Sequence, residues 1–249
     1  MSLLRVGPAP DGRLRFGPWR GDARTACIAP ARHGVGPIST ADVRRCVDGA
    51  VAAGFRSIVT SALGQRDQDP FDEAGFELAE RLHLLVHPLG RLPTVAAPAP
   101  LRRPQRGERA DALVVDHAAF QPFWRLDEQG MLDALRATPA VRFRVARRPE
   151  GVVGYAITGR SDHRGYVQRL AVDPALEGRG IGAALLVDGL RWLRRWGARD
   201  AVVNTQEGNE RSLRLYQRTG FVVQPEGLAV LRLDLLDGAG HGPSHRAPE

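Results

Sequence analysis

The sequence predicts an α+β protein, in which strands and helices alternate along the chain. The clearest sign lies between Tyr166 and Phe221, where an apolar strand is followed by a glycine loop, an amphipathic helix, a strand and a second helix. Two apolar runs, 141–145 and 152–157, flank a charged turn and predict an antiparallel strand pair. The composition agrees, because 249 residues with 43% hydrophobic side chains can bury a substantial core.

The loop before the predicted helix has glycine at positions 178, 180 and 182. A helix N-terminus leaves about four N–H groups unpaired and carries the positive end of the helix dipole, so it attracts anions. Glycine lets the backbone approach such an anion because it has no side chain. A G-x-G pattern alone also fits a plain turn. The apolar stripe of Leu186, Leu190 and Leu193 in the next helix favours a diphosphate-binding loop.

These elements resemble the GNAT superfamily of acetyl-CoA-dependent N-acetyltransferases. The resemblance rests on Val172-Asp173-Pro174, the run Gly178 to Leu186, Asn209 with Tyr216 seven residues later, and Gly220-Phe221. It implies the GNAT fold, a mixed central sheet flanked by helices. It also implies an enzyme that transfers acetyl from acetyl-CoA to a primary amine of a small molecule or a protein, by direct attack and without a metal.

The resemblance gives the site residues their expected roles. The strand backbone would hold the pantetheine and acetyl carbonyl, the loop N–H groups would cradle the diphosphate, and Asn209 would touch the cofactor arm. The cofactor-binding residues implied in this way are Leu170, Ala171, Val172, Arg179, Gly180, Ile181, Gly182, Ala183, Asn209 and Tyr216. Glu177 departs from the family, which usually has Gln or Arg there. Because the cradle is mostly backbone, we expect weaker acetyl-CoA binding at most.

Tyr216 is the expected general acid. A thiol has a pKa of about 8.5 and a tyrosine of about 10, so a placed Tyr216 hydroxyl can protonate the departing sulfur. The alternative is a half-buried helix aromatic with its hydroxyl in water. Asn209 also has two interpretations, because asparagine is among the best helix N-caps and both roles are compatible.

The general base stays open. Enzymes similar to the ribosomal-protein alanine acetyltransferase carry Glu twelve residues before the tyrosine, where this chain has Asn204, and an amide cannot take a proton. Each remaining candidate also fits a solvated surface group. These candidates are Glu207, Asp162, His163, Glu226 and a water chain from Gln168.

The first part of the chain resembles a degenerate copy of the second. A helix at 40–53, then Gly54-Phe55, and then Phe71 before Gly75-Phe76 repeat the order seen around Gly197 and Tyr216. Phe71 stands where Tyr216 would, and Pro37 removes a backbone N–H. We therefore expect a non-catalytic GNAT-like half-domain at 1–90, as in tandem GNAT proteins, a linker at 91–110, a catalytic domain at 111–237 and a disordered tail at 238–249.

Smaller patterns complete the prediction. Residues 112–115 and 228–231 are predicted to form strands. Residues 120–138 are predicted to form one or two helices that cover the acceptor cleft. Their aromatic side chains, Phe120, Phe123 and Trp124, would either contact the acceptor or lie in the core. The run around His83 and His87 indicates a strand, and metal binding there is the weaker interpretation. Four linker arginines are predicted to be solvated, namely Arg102, Arg103, Arg106 and Arg109.

The net charge and the cysteine content limit the other functions that the protein could have. The net charge is +7, and all 35 basic residues are arginine. These arginines are spread among acidic residues and form no nucleic-acid motif, so nucleic-acid binding is a weak alternative. Cys27 and Cys46 are expected to be reduced. No apolar run is long enough for a membrane span, so we expect a soluble, cytoplasmic protein. The main alternative is an acyl-CoA-binding sensor without turnover.

Overall fold

The computed structural model describes residues 7–8, 13–31 and 36–235. The described chain divides into two compact units. One comprises the residues up to Glu80 together with those from Ala229 on, and the other runs from Arg81 to Leu228. The predicted tail at 238–249 lies outside the described residues.

Helices and strands follow one another along both units. The first part contains β1 (Gly7–Pro8), β2 (Leu14–Trp19), β3 (Asp22–Pro30), α1 (Thr40–Ala52), β4 (Ser57–Thr60), β5 (Leu63–Gly64) and α2 (Asp69–Asp72). Then come β6 (Glu77–His87), β7 (Leu101–Arg102), α3 (Glu108–Ala119), α4 (Glu128–Arg136), β8 (Ala140–Arg148), β9 (Gly151–Ser161) and β10 (Arg164–Val172). The last elements are α5 (Ile181–Arg195), β11 (Asp200–Gln206), α6 (Glu210–Arg218), β12 (Val222–Val223) and β13 (Leu228–Asp234).

The first unit is a small sheet with one long helix. β2 pairs with β1 and β3 in antiparallel fashion, β3 pairs with β4 in parallel, and β13 adds antiparallel to β4. The parallel step requires a crossover, which α1 supplies. Val43, Cys46 and Ala50 of α1 are buried in the core of this unit. Cys27 and Cys46 are free thiols, as predicted.

The second unit is a mixed sheet flanked by helices, as the resemblance implies. β7, β8, β9 and β10 pair in antiparallel order, β10 and β11 pair in parallel across α5, and β6 adds antiparallel to β11. The predicted pair at 141–157 is the hairpin of β8 and β9. The α5 helix buries the stripe that contains Leu186, Leu190 and Leu193. None of the described helices combines the length and apolar character needed to span a bilayer.

Residues 112–115 form helix, so the predicted first strand is wrong. They lie within α3, which buries Ala112, Val115 and Asp116 and leaves Val114 69% exposed. Burial at every third to fourth residue is the spacing of a helix face. The short apolar run concealed this period, because Val114 continues it on the exposed side.

The expected linker and domain boundaries also need correction. The stretch 91–110 contains β7, and Arg102 donates two hydrogen bonds to Glu108 at 2.9 and 2.5 Å, so this arginine is paired rather than solvated. β6 belongs largely with the second unit because it pairs with β11, which moves the first boundary from 90 to 80. β13 pairs with β4, so the second unit ends at Leu228 and not at residue 237.

Candidate active site

The site begins where two parallel strands separate. β10 and β11 are paired only from Arg164 with Asp200 to Tyr166 with Val202. β10 continues to Val172 in register with β9, with a bulge between Val167 and Arg169. A bulge bends its strand and increases the local twist. The edge of β10 that faces away from β9 is therefore free of a described strand partner beyond Tyr166.

A cavity of about 530 Å³ lies along this edge, within the second unit. Eight of the ten predicted cofactor-binding residues line it, while Arg179 and Tyr216 do not. The eight are Leu170, Ala171, Val172, Gly180, Ile181, Gly182, Ala183 and Asn209. Pro93 and Val95 of the expected linker also line the cavity, and neither had a sequence signal.

The glycine loop opens the N-terminus of α5 towards the cavity. Gly180 is the N-cap, has φ of +82° and offers no side-chain cap, and the first helical hydrogen bond runs from Ala184 N–H to the Gly180 carbonyl at 3.0 Å. A Cβ on Gly178 would meet no atom within 4 Å, and φ there is +72°. These two glycines are thus required by the left-handed backbone rather than by crowding within the protein, and they leave the first N–H groups of α5 available.

Helix α6 supplies the opposite wall. Asn209 is its N-cap and accepts a hydrogen bond from Ser212 N–H at 3.0 Å. Three arginines from one face of this helix line the cavity, namely Arg211, Arg214 and Arg218. Arg211 forms an ion pair with Glu177 of the glycine loop, so the acidic departure from the family has a basic partner in this chain.

Tyr216 does not line the cavity and is buried in the core of the second unit. It is 6% exposed, and its ring packs edge to face on Phe221 with centroids 5.5 Å apart. Burial raises the pKa of Tyr216 to about 12, and the positive charge of Arg169 partly offsets this rise. The phenol therefore keeps its proton at neutral pH.

His87 is a buried structural histidine beside this helix. Its Nδ1 accepts from Leu89 N–H at 2.8 Å, so Nε2 carries the proton and donates to the Thr219 carbonyl at 3.0 Å. Burial lowers the pKa of His87. The strand predicted around it is confirmed as β6, and no group of three or more His, Cys, Asp or Glu side chains in the described ranges is arranged to hold a metal ion.

None of the candidate general bases lines the cavity. Asp162 and His163 form the turn between β9 and β10, and Leu170 lies eight residues beyond Asp162, a span of roughly 26 Å for extended chain. Glu207 and Glu226 are exposed and do not line the cavity. Gln168 lies at the bulge, where its Nε2 donates to Thr138 Oγ1 at 3.3 Å and its buried Oε1 has no partner in the described structure.

One buried ion pair went unnoticed in the sequence. Asp116 of α3 is fully buried and pairs with Arg169 of β10, whose side chain is 9% exposed. The signal was available, because Arg169 lies two residues after the apolar Val167 and directly before Leu170 in a predicted strand, and a buried charge needs a partner. The partner could not be read from sequence, since 53 residues separate the two positions.

Comparisons with known proteins agree with this geometry. The profile of the Acetyltransferase (GNAT) family matches residues 112–221. A mycothiol acetyltransferase from Nocardia farcinica is 31% identical over 217 residues, which cover 79% of this chain and 69% of that protein. Mycothiol acetyltransferases from Acidimicrobium ferrooxidans and Propionibacterium freudenreichii match at 32% and 36% identity over 53% and 47% of this chain, and these matches span just 46% and 41% of their own lengths.

Solved structures show the same fold. A GCN5-related N-acetyltransferase from Sphaerobacter thermophilus superposes with a TM-score of 0.61 at 18% identity, covering 91% of this chain and 78% of the other. A tandem GNAT protein from the clavulanic acid biosynthesis pathway gives a TM-score of 0.62 at 15% identity, with 93% and 79% covered. The chain belongs to the GNAT acetyltransferase family.

Proposed function

We propose that this protein is an N-acetyltransferase, which transfers acetyl from acetyl-CoA to a primary amine of a small molecule or a protein. The cavity carries the proposal, because three features of an acyl-CoA site converge on it. They are an unpaired strand edge, an uncapped helix N-terminus and a row of arginines. Unpaired backbone groups suit an extended amide-containing arm, and a helix N-terminus with arginines suits phosphates.

The residues present fit acetyl-CoA as the acyl donor. The free edge of β10 from Leu170 to Val172 would pair with the pantetheine amides. The N–H groups from Arg179 to Ala183 would hold the diphosphate, and the α6 arginines would neutralise it. A cavity of about 530 Å³ is within the range of small-molecule sites in proteins.

The reaction is a direct displacement. The neutral amine attacks the thioester carbonyl carbon, a C–N bond forms, the C–S bond breaks, and the amine proton passes to solvent. The thiolate takes the proton of Tyr216, which solvent later replaces. The Tyr216 phenol is protonated at neutral pH, as a general acid must be; burial raises its pKa and so weakens it as a donor, and the charge of Arg169 acts in the opposite direction.

We infer that the acceptor carries an amine of the kind that the similar mycothiol acetyltransferases use. The supporting observation is the 217-residue match, which extends beyond the family profile into the first unit. A screen of acceptors therefore begins with the amine substrate of those enzymes and continues with other small amines and peptide N-termini.

We also propose that the first unit is a degenerate, non-catalytic copy of the second. In both, a parallel strand pair encloses a helix, β3-α1-β4 in one and β10-α5-β11 in the other. Phe71 packs edge to face on Phe76 at 5.4 Å, as Tyr216 packs on Phe221 at 5.5 Å. In each pair the N–H of the second aromatic donates to the carbonyl of the first at 3.0 Å.

The start of α1 supports the loss of function in that copy. Ser39 and Asp42 form a reciprocal cap, in which the Asp42 carboxylate accepts Ser39 N–H at 2.9 Å and Ser39 Oγ accepts Asp42 N–H at 3.2 Å. The Asp42 carboxylate thus lies at the N-terminus of α1, where a bound diphosphate would otherwise lie. The N-terminus of α5 has no such cap, so only that one is available to a diphosphate.

Replacement of Tyr216 by Phe tests the proposed chemistry. Thiol release from acetyl-CoA with an active acceptor should fall about 10²- to 10⁴-fold, while the acetyl-CoA dissociation constant stays within about twofold, because the ring and its packing remain. Equal turnover in both proteins would contradict the acid role. Cofactor binding without turnover of any acceptor in the wild-type protein would instead favour the acyl-CoA-binding sensor.

A further inference from the structure

An ion pair lies directly behind one wall of the cavity. Arg169 donates to both carboxylate oxygens of Asp116, from Nε at 2.7 Å and from Nη2 at 2.8 Å. A planar guanidinium that forks onto a carboxylate is fixed in orientation as well as in position. The pair is buried, so it is weakly screened by water and salt.

Asp116 is itself held by two further donors. The Tyr155 hydroxyl donates to Oδ2 at 2.5 Å, and Leu126 N–H donates to Oδ1 at 2.8 Å. Four hydrogen bonds satisfy the carboxylate, which is the condition under which a buried charge is tolerated. Burial and the Asp116 charge together raise the pKa of Tyr155, so that hydroxyl stays a donor at all ordinary pH.

Arg169 in turn holds the segment that follows α3. Its guanidinium carbon lies 3.4 Å from the centroid of the Phe120 ring, and its Nη2 also donates to the Trp124 carbonyl at 2.7 Å. Phe120 lines the cavity together with Leu170, the chain neighbour of Arg169. One side chain thus ties β10 to the segment after α3 at the place where that segment forms the cavity wall.

We propose that Arg169 is a positioning residue of the candidate site, which holds the Phe120 wall in place and gives the site a fixed positive charge. This inference rests on the proposed acetyl transfer. The charge acts on the proposed acid, since it lowers the pKa of Tyr216 against the rise caused by burial. A positive charge nearby favours the ionised form of a phenol, and so makes it a stronger proton donor.

Two variants with opposite expected effects separate this role from a purely structural one. Arg169→Met removes the charge, so Tyr216 should begin to titrate at higher pH. Asp116→Asn keeps the arginine charge and removes its opposing partner, so Tyr216 should begin to titrate at lower pH. If the ion pair served only to hold the core together, both variants would loosen the core and expose Tyr216. The pKa of Tyr216 would then shift in the same direction in both.

The titration is followed by the carbon-13 signal of the tyrosine ζ carbon from about pH 9 upward. The Tyr216 signal is identified by its absence in Tyr216→Phe. Arg142→Met is the matched control, since Arg142 forks onto Asp188 at 2.8 and 2.9 Å and neither residue lines the cavity. The control should leave the titration unchanged. An unchanged titration in both Arg169→Met and Asp116→Asn would overturn the proposal.

A measurement on the wild-type protein covers the case in which these variants do not fold. A locked Arg169 should show separate, slowly exchanging nitrogen-15 signals for its two Nη groups, because hydrogen bonds to Asp116 and Trp124 prevent rotation about the Cζ bonds. A single averaged signal, like that of an exposed arginine such as Arg103, would overturn the proposal.

Neither magnetic-resonance test depends on turnover, so failure of the proposed function is distinguishable from failure of this inference. Once an acceptor is known, Arg169→Lys should lower kcat about tenfold with the acetyl-CoA KM within about twofold, because an ammonium keeps the charge but cannot fork. Lost affinity for acetyl-CoA with unchanged kcat would assign Arg169 to cofactor binding and contradict a positioning role.

Discussion

Gly220→Ala should destabilise the second unit far more than Gly197→Ala, although both glycines follow a helix in the left-handed region. Gly197 has φ of +81° and Gly220 has φ of +102°. A Cβ on Gly197 would meet nothing within 4 Å, whereas one on Gly220 would lie 2.8 Å from His87 Nε2. The two variants therefore share a backbone cost and differ in a steric one.

The expected magnitudes follow from those contacts. The left-handed conformation costs a non-glycine residue about 1–2 kcal/mol. In Gly220→Ala the clash also forces His87 away from the Thr219 carbonyl, and breaking a buried hydrogen bond adds about 1–3 kcal/mol. Gly220→Ala should thus cost about 2–5 kcal/mol, against about 1–2 kcal/mol for Gly197→Ala.

Urea unfolding of both variants and the wild-type protein measures the difference. Equal destabilisation would show that the His87 contact contributes nothing, and would refute the reasoning. A larger cost for Gly220→Ala that disappears when His87 is also replaced by Ala would identify the contact directly, since coupled residues give non-additive effects.

Three further predictions concern charge and buried polar groups. Glu177→Gln should tighten acetyl-CoA binding about two- to fivefold in low salt, because it removes a negative charge beside the helix N-terminus that we propose binds the diphosphate, and because it frees Arg211. Calorimetric titration measures the change, and weaker binding by the variant would contradict the prediction. Burial lowers the pKa of His87, so as the pH falls the unfolded chain takes up a proton at His87 before the folded protein does. The free energy of unfolding should therefore decrease below about pH 6.5. Urea midpoints measured across this range should depend less on pH in His87→Gln. Tyr155→Phe should cost about 1–3 kcal/mol by thermal unfolding, because Asp116 loses a buried donor, and a change within about 0.5 kcal/mol would contradict the network.

Local signals in the sequence were sufficient for the central part of the fold. Asn209 and Gly220 mark the two ends of α6 because each is the favoured residue for its conformation, and Asn209 is indeed the N-cap. The strand pair at 141–157 was predicted from two apolar runs on either side of a charged turn, which is also a local signal. Eight of the ten cofactor-binding residues that the family resemblance implied line the cavity.

Long-range partners were beyond the reach of sequence patterns. The helix α3 was predicted as a strand because four apolar residues cannot distinguish the two periods. β13 was assigned to the wrong unit because its partner β4 lies about 170 residues earlier in the chain, as in the bond from Leu231 N–H to Thr60 Oγ1. The fork between Arg169 and Asp116 likewise depends on tertiary packing, which sets partners that local composition cannot specify.

The most direct test of an acyl-CoA site at the start of α5 is calorimetric titration of the 249-residue chain with acetyl-CoA. Gly180→Glu places a negative charge at the N-terminus of α5, and Gly197→Glu places the same charge just past its C-terminus, where φ is also positive and a Cβ meets nothing within 4 Å. We predict one site per chain, weakened at least tenfold by Gly180→Glu and within about threefold of wild type in Gly197→Glu. No binding to the wild-type protein, or equal weakening in both variants, would contradict the assignment of this cavity.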